Sequence, residues 1–98
     1  MYVSITPSST KTKKYMAVFY DNDKKKVKTT HFGAKGYQDY TDHHDAMRKT
    51  NYLNRHGNED WNDYMTAGSL SRYVLWEHKS FDKAVKEYMK KFGLKEYN

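Results

Sequence analysis

Alternating apolar and polar positions in the first third of the chain predict β-strands. Tyr2–Ile5 is a short candidate strand, and Lys14–Tyr20 runs up to the turn sequence Asp21-Asn22-Asp23. Lys26–Phe32 then alternates, and with the second run it predicts a β-hairpin to which the first run can add a third strand. Within the third run, one face is predicted to hold Val27, Thr29 and His31, and the other Lys26, Lys28 and Thr30.

The pattern of the remaining two thirds is helical. A helix is expected from an N-cap at Thr41 to about His56, with Gly57 as the left-handed residue that ends it. The expected inward stripe of this helix consists of Met47, Thr50 and Leu53. A loop over residues 58–66 and a short helix from about Ser69 to Trp76 follow.

The last helix has the clearest period in the sequence. Ser80 is its expected N-cap and Gly93 its expected end. Its apolar positions recur three and four residues apart at Phe81, Ala84, Val85, Tyr88, Met89 and Phe92. The tail Leu94–Asn98 is expected either to fray or to dock.

Together these elements predict one α+β domain over residues 1–98, in which a hairpin or three-stranded antiparallel sheet (1–36) precedes three helices (37–98). Val, Ile, Leu and Phe make up only 14 of the 98 residues, a share that raises the question of disorder. The chain also has ten Tyr and two Trp, and aromatic side chains bury about 150–250 Å² each. We therefore predict a folded domain with a thin, aromatic-rich core.

Composition excludes several classes of protein. Without cysteine the chain has no disulfide framework, thiolate zinc site or thiol nucleophile. No apolar run approaches the roughly 20 residues that span a bilayer, and the N-terminus lacks the pattern of a secretory signal. The expectation is an intracellular protein with no membrane span, and a particle-bound protein made in the cytoplasm is compatible with it.

Charge is distributed unevenly along the chain. The whole net charge of +6 comes from lysines in residues 1–36, whereas residues 37–98 are neutral. Lysine suits phosphate backbones or acidic protein surfaces. The candidate nucleic-acid contacts are Lys24, Lys25, Lys26, Lys28, Arg48, Lys49 and Arg55. Two other interpretations stay open: the lysines only keep strand edges from pairing, and Arg48 and Arg55 pair with Asp45, Glu59 or Asp60.

No residue pattern indicates catalysis. Histidines and aspartates crowd residues 39–45, but no His-x-x-x-His pair is present, and helix capping explains the acids better than a metal does. The sequence has no Gly-rich phosphate loop and no Gly-x-Ser-x-Gly elbow, and the spacing of its histidines selects none as a base for Ser69 or Ser71. We predict no enzyme, metal, cofactor or small-molecule substrate.

A longer pattern carries a resemblance. The run His31-Phe-Gly-Ala-Lys-Gly-Tyr-Gln-Asp-Tyr-Thr-Asp-His43 is followed in fixed order by Asp45, Arg48-Lys49, Tyr52, Arg55-His56, Asp60-Trp61, Thr66-Ala-Gly68, Ser71 and Leu75-Trp76. Over residues 15–79 this pattern resembles a family of short uncharacterised proteins of nucleocytoplasmic large DNA viruses. The chain departs from the family pattern at His44, where lysine is expected, and at Tyr64 and near Ser80, where proline is expected.

The resemblance implies a viral context and brings no catalytic residues. The expected function is that of a structural virion protein, a minor capsid or internal scaffold component that contacts other capsid proteins or copies of itself. Such a protein is made in the host cytoplasm and located in the virion. The alternative is a nucleic-acid-binding or DNA-condensing viral protein that contacts viral DNA. The predicted interface anchors are Tyr37, Tyr40, Trp61, Tyr64 and Trp76.

Overall fold

A four-stranded mixed sheet holds the first third of the chain in the computed structural model, which describes residues 1–97. Strands β1 (Tyr2–Pro7), β2 (Lys13–Tyr20) and β3 (Lys26–Ala34) pair antiparallel. Strand β4 (Lys95–Glu96) pairs parallel with β1, so that the strand order is β3-β2-β1-β4. The predicted hairpin and its third strand are confirmed. The fourth strand was not expected.

The inward face of β3 is the one that carries Thr30. Thr30 and Phe32 are buried, whereas Val27 is 50% exposed. Phe32 pairs with Tyr15 of β2, and the Thr30 hydroxyl donates to the backbone oxygen of Met65 at 2.7 Å. The first half of β3, Lys26 to Thr29, is therefore exposed on both faces, and the buried residues of this strand lie in its second half.

The single helix predicted over residues 41–56 is two helices, α1 (Tyr40–His43) and α2 (Ala46–Arg55). Asp39, and not Thr41, is the N-cap of α1, because its carboxylate accepts the Thr41 backbone N–H. His44 is left-handed, with φ of 56°, and Asp45 then caps α2. Two capping aspartates six residues apart thus divide the helical pattern.

The predicted inward stripe of α2 is wrong at two of its three positions, and the third, Leu53, is half-buried. Met47 is 74% exposed and Thr50 is also exposed, whereas Tyr52 is the buried residue of this helix. Gly57 does not take the left-handed conformation expected of it, and His56 is the C-cap with φ of −105°. Burial in α2 follows its aromatic ring and not its aliphatic positions.

The C-terminal helices follow the prediction more closely. Helix α3 (Ala67–Leu70) continues into a π-helical turn, Ser71–Leu75, in place of one regular helix. Helix α4 (Phe81–Phe92) has the expected N-cap at Ser80 and the expected left-handed end at Gly93, with φ of 65°. No helix among residues 1–97 is long and apolar enough to cross a membrane.

The core lies between the sheet, α3 with its π-helical turn, and α4. Aromatic rings supply much of it, as the composition predicts. Its innermost side chains are Val3, Ala17, Phe19, Phe32, Leu70, Val74, Leu75 and Tyr88. Burial raises the pKa of Tyr88, whose hydroxyl donates to the Tyr64 backbone oxygen, so this phenol stays protonated.

The C-terminal tail docks on the sheet. Leu94 is buried, and the backbone N–H of Lys95 and of Tyr97 donate to Met1 and Val3 oxygens at 3.0 Å each. The Tyr97 ring stacks on Tyr20 with 3.6 Å between ring centroids. Asn98, the last residue of the predicted tail, lies outside the described residues.

Candidate binding groove

A groove of about 580 Å³ opens at one end of the β2–β3 hairpin. Three segments that are distant in sequence form its walls: the paired start of β2 and end of β3, the loop before α1 together with α2, and α3 with the π-helical turn. Most of its lining residues occupy positions of the fixed-order pattern that begins at His31, including Gly33, Tyr37, Arg55 and Gly68. The pattern therefore traces one concave surface of the folded chain.

An ion-pair clasp fixes the first wall to the second. Lys14 Nζ on β2 lies 2.8 Å from Asp39 Oδ2 and 3.0 Å from Asp42 Oδ2. The Lys14 and Asp39 side chains are 18% and 6% exposed, so both charges depend on the pair. Thr41 also donates its backbone N–H and its hydroxyl to Asp39 Oδ1. The acids that could have suggested a metal site instead cap α1 and hold Lys14.

Two residues of the clasp, Lys14 and Asp42, have shifted pKa values. Burial alone would lower the pKa of Lys14, but the hydrogen bonds and charges of Asp39 and Asp42 raise it. The pKa of Asp42 is lowered, first because its carboxylate accepts the Asp39 backbone N–H and then because Lys14 lies beside it. Lys14 and Asp42 are therefore both ionised over the whole neutral range.

A column of aromatic rings lines the floor beside the clasp. The Tyr52 ring stacks on Trp76 at 4.3 Å with 3° between planes, and the His56 ring lies 4.3 Å from it with a tilt of 32°. Burial raises the pKa of Tyr52 to about 12. His43 meets Trp76 at 5.3 Å, and its Nδ1 accepts the Asp45 backbone N–H. Burial, followed by the nearby Arg48 charge, lowers the pKa of His43, so its ring is neutral.

Three cations of the groove have no ion pair within the part of the chain that the structure describes: Lys13, Arg48 and Arg55. Arg48 Nη1 donates to Gln38 Oε1 at 3.2 Å, which orients it along the rim. The two acids of the lining are already engaged. Asp39 pairs with Lys14, and Glu59 Oε2 lies 2.5 Å from His56 Nδ1. The unpaired charge of the groove is therefore positive.

The predicted pairs of Arg48 and Arg55 with nearby acids do not form. Asp45 accepts backbone N–H groups at the start of α2, and Asp60 accepts the Asn62 N–H at 2.9 Å. Glu59 is held by His56. Both arginines are exposed.

The predicted nucleic-acid contacts fall into separate groups. Lys24, Lys25, Lys26 and Lys28 are exposed around the β2–β3 turn. The groove is at the opposite end of the hairpin, seven residues or about 23 Å away along β2. Lys49 is not free, because its Nζ donates to the Glu77 backbone oxygen at 2.9 Å and lies over the Tyr40 ring. The structure thus brings Arg48 and Arg55 together and leaves the turn lysines apart from them.

The five predicted anchors differ widely in exposure. Tyr37 is 76% exposed at the groove rim, whereas Tyr40 is 8% exposed and belongs to the interior. Trp61 lies under the Arg72 guanidinium, and Tyr64 packs between Phe19 and Phe92, both at 5.7 Å between centroids. Trp76 is half-buried against Tyr52. Of the five, Tyr37 has the ring most available to a partner.

Arg72 holds the loop of Trp61 against the helices. Its guanidinium pairs with Glu77 and lies 5.2 Å and 4.9 Å from the Trp61 and Tyr73 ring centroids. Burial would raise the pKa of Glu77, but the Arg72 hydrogen bond and charge lower it. The pair therefore remains charged near neutral pH.

Within residues 1–97, no group of three or more His, Asp or Glu side chains could hold a metal ion. The buried Ser69 hydroxyl donates to the Asp60 backbone oxygen at 3.3 Å, and the Ser69 hydroxyl oxygen accepts the Thr66 hydroxyl at 3.0 Å. What the groove offers chemically is positive charge beside aromatic and aliphatic surface.

Comparison with known protein families matches residues 3–56 to a family of unknown function, DUF5754. The match extends over more than half of the chain. This chain belongs to the DUF5754 family. The matched segment includes β2, β3, α1 and α2, which form two walls of the groove in this DUF5754 protein. The third wall, from α3 and the π-helical turn, lies outside the match. No curated protein and no solved structure matches the chain.

Sequence reasoning missed Lys13, Gln38 and the glycines as groove residues. Lys13 looked like one of many lysines, and its position opposite Ala34 follows only from strand register. Gly33 and Gly68 are on the groove surface, and a Cβ on Gly68 would come within 2.8 Å of Glu59 Oε1. The spacing of the pattern that begins at His31 was the one available signal, since its positions converge on this surface.

Proposed function

We propose that this DUF5754 protein is a non-enzymatic structural component of a large DNA virus particle. In this proposal it is a minor capsid or internal scaffold protein that works through protein–protein contacts. The observation that carries the proposal is the composition of the groove rim and the adjacent first turn of α2. Tyr37 and Met47 are 76% and 74% exposed there, beside the unpaired Arg48 and Arg55. Tyrosine, methionine and arginine are the residue types enriched at protein interfaces.

The viral context of the proposal is supported by the sequence pattern of residues 15–79. A small domain with a thin core has a small free energy of unfolding. Neighbours in a particle would raise it, because they bind the folded state and not the unfolded chain. Two clusters that tie the groove walls together, the Lys14 clasp and the Tyr52–Trp76 stack, would present the rim to such neighbours in a fixed shape.

The test is graded disruption of purified virus particles, with this chain followed by mass spectrometry in shell and DNA-core fractions. Recovery in stoichiometric amounts with the shell is the expected result. Absence from particles would contradict the proposal, and so would release from the core fraction by salt alone.

Nucleic-acid binding is a second candidate, favoured by the exposed lysines of the β2–β3 turn. Lys24, Lys25, Lys26 and Lys28 have no acidic side chain within ion-pair distance among the described residues. Four phosphate contacts predict an affinity for duplex DNA whose logarithm falls with the logarithm of salt concentration at a slope of about −4.

Charge reversal distinguishes DNA binding at the turn lysines from a nonspecific effect of the protein's net charge. Reversing the four turn lysines should abolish most duplex binding in a gel-shift titration. The matched control reverses four exposed lysines of α4, namely Lys83, Lys86, Lys90 and Lys91. Equal losses in both variants would exclude the turn as a specific contact surface.

A further inference from the structure

We infer that the groove is the docking site for an extended acidic segment of a partner protein, in which carboxylates flank an apolar side chain. The inference rests on the proposed function, because it specifies the chemistry of the protein contact. It can nevertheless be tested on the isolated chain.

Charge complementarity is the first argument. Lys13, Arg48 and Arg55 project onto the groove with no acidic partner in residues 1–97, and Lys14 and His56 occupy its two acids. Arginine binds carboxylates through two parallel hydrogen bonds, and its guanidinium is less strongly hydrated than an ammonium group. The lining has four Lys and Arg side chains against the two carboxylates of Asp39 and Glu59, so an anion that enters the groove meets a net positive charge.

The apolar surface of the groove is the second argument. Tyr37 stands at the rim, and Trp76 and Ala67 contribute to the accessible lining. Hydrophobic and aromatic walls with a few placed charges are typical of ligand sites, and a volume of about 580 Å³ lies within their usual range. A purely ionic partner would leave this surface wet, so the segment must also bring an apolar side chain.

Surroundings of the groove favour a peptide over nucleic acid. Residues 37–98, which supply two of its three walls, carry no net charge, and the excess of lysine is concentrated in residues 1–36. In proteins that bind single-stranded nucleic acid, the bases stack on exposed faces of aromatic rings. Here the Tyr52 ring is stacked on Trp76 and only 8% exposed, so Tyr37 is the one well-exposed ring on the described groove. A short acidic segment matches three local cations better than a long phosphate backbone does.

The experiment is fluorescence anisotropy with three labelled probes and the purified full chain. The first probe is a short peptide of aspartate and glutamate around one phenylalanine, and the second is the same peptide with asparagine and glutamine. The third probe is single-stranded oligothymidine. Arg55→Glu and Tyr37→Ala alter the groove. Lys90→Glu is the matched control, because Lys90 is likewise exposed in the last turn of a helix.

The acidic peptide should bind the natural chain, and the amide peptide should bind at least about tenfold more weakly. Arg55→Glu should weaken acidic-peptide binding about tenfold and Tyr37→Ala several-fold, while Lys90→Glu stays within about twofold. Thermal unfolding of each variant verifies that it is folded. Equal losses in Arg55→Glu and Lys90→Glu, no binding of the acidic peptide, or oligothymidine binding that Arg55→Glu alone abolishes would each overturn the inference. Absence of the chain from virus particles would overturn the proposed function and leave this result intact.

Discussion

Lys14 is the residue on which the joint between sheet and helices depends. Its ammonium group contacts Asp39 and Asp42, and Asp39 is nearly inaccessible to solvent. Replacing Lys14 with Met leaves a buried carboxylate without its cation, which we expect to lower the free energy of unfolding by about 3 kcal/mol. Urea denaturation measures the change. Lys13→Met is the control, since Lys13 is exposed and unpaired, and an equal loss in both variants would contradict the role of the clasp.

The same clasp predicts a dependence of stability on pH. The raised pKa of Lys14 means that its contribution is complete below its ordinary value of 10.5 and is lost as the pH rises through the folded-state value. The lowered pKa of Asp42 means that its contribution is complete above its ordinary value of 3.8 and is lost as the pH falls through the folded-state value. The Tm difference between the natural chain and Lys14→Met should therefore be flat between these values and shrink outside them. A difference that changes between pH 6 and 8 would contradict this.

Two glycines, Gly33 near the end of β3 and Gly36 just after the strand, distinguish the cost of backbone strain from the cost of steric crowding. Gly33 and Gly36 both have positive φ, 79° and 90°, and alanine in such a conformation costs about 1–2 kcal/mol. At Gly33 a Cβ would also come within 2.9 Å of Leu75 Cδ1, whereas at Gly36 it would meet nothing within 4 Å. We expect Gly33→Ala to destabilise the chain by about 3 kcal/mol and Gly36→Ala by about half of that. Equal losses in chemical denaturation would show that β3 does not approach Leu75 as closely as described.

Among the elements, α4 depends most simply on its own sequence. Ser80 accepts the Lys83 backbone N–H, and the helix ends at left-handed Gly93. Ser80→Ala should lower the free energy of unfolding by about 1 kcal/mol, whereas Ser80→Asp keeps the cap and should be nearly neutral. Thermal denaturation of the two variants tests this. A loss in Ser80→Asp as large as in Ser80→Ala would indicate that the side chain does not act as a cap.

Elements were predictable where one face of one element decides burial. Helix α4 has an apolar stripe wide enough to cover the sheet, and β1 to β3 alternate between turn signals, so both patterns were sufficient. The buried face of helix α2 was not predictable in this way, because it is decided by Trp76, a residue from another part of the chain that stacks on Tyr52. Strand β4 has two residues and exists only because the edge of β1 receives it. Neither contact leaves a periodic signal in its own segment.

At the scale of the whole molecule, the groove could be predicted only in part. Arg48 and Arg55 were identified from helical spacing, and Tyr37 from its residue type. Their assembly with Lys13 depends on strand register and on the loop that Asp39 and Lys14 fix, which no local pattern reveals. The lysines of the β2–β3 turn show the opposite kind of error. Because they carry the same charge as Arg48 and Arg55, the sequence suggested one common surface, but the length of the hairpin separates the two groups.

We propose that the chain serves in a virus particle through a groove that receives an acidic segment of another protein. Zero-length carbodiimide cross-linking of intact particles tests it most directly, because the reagent joins a lysine amine to a carboxylate in contact with it. Lys13 is exposed at the groove and available for the reaction. We predict that Lys13 is joined to an aspartate or glutamate of another capsid chain. Cross-links that join Lys13 only to carboxylates of its own chain would contradict binding of another protein in the groove. Particles that lack the protein would contradict its role in the virion.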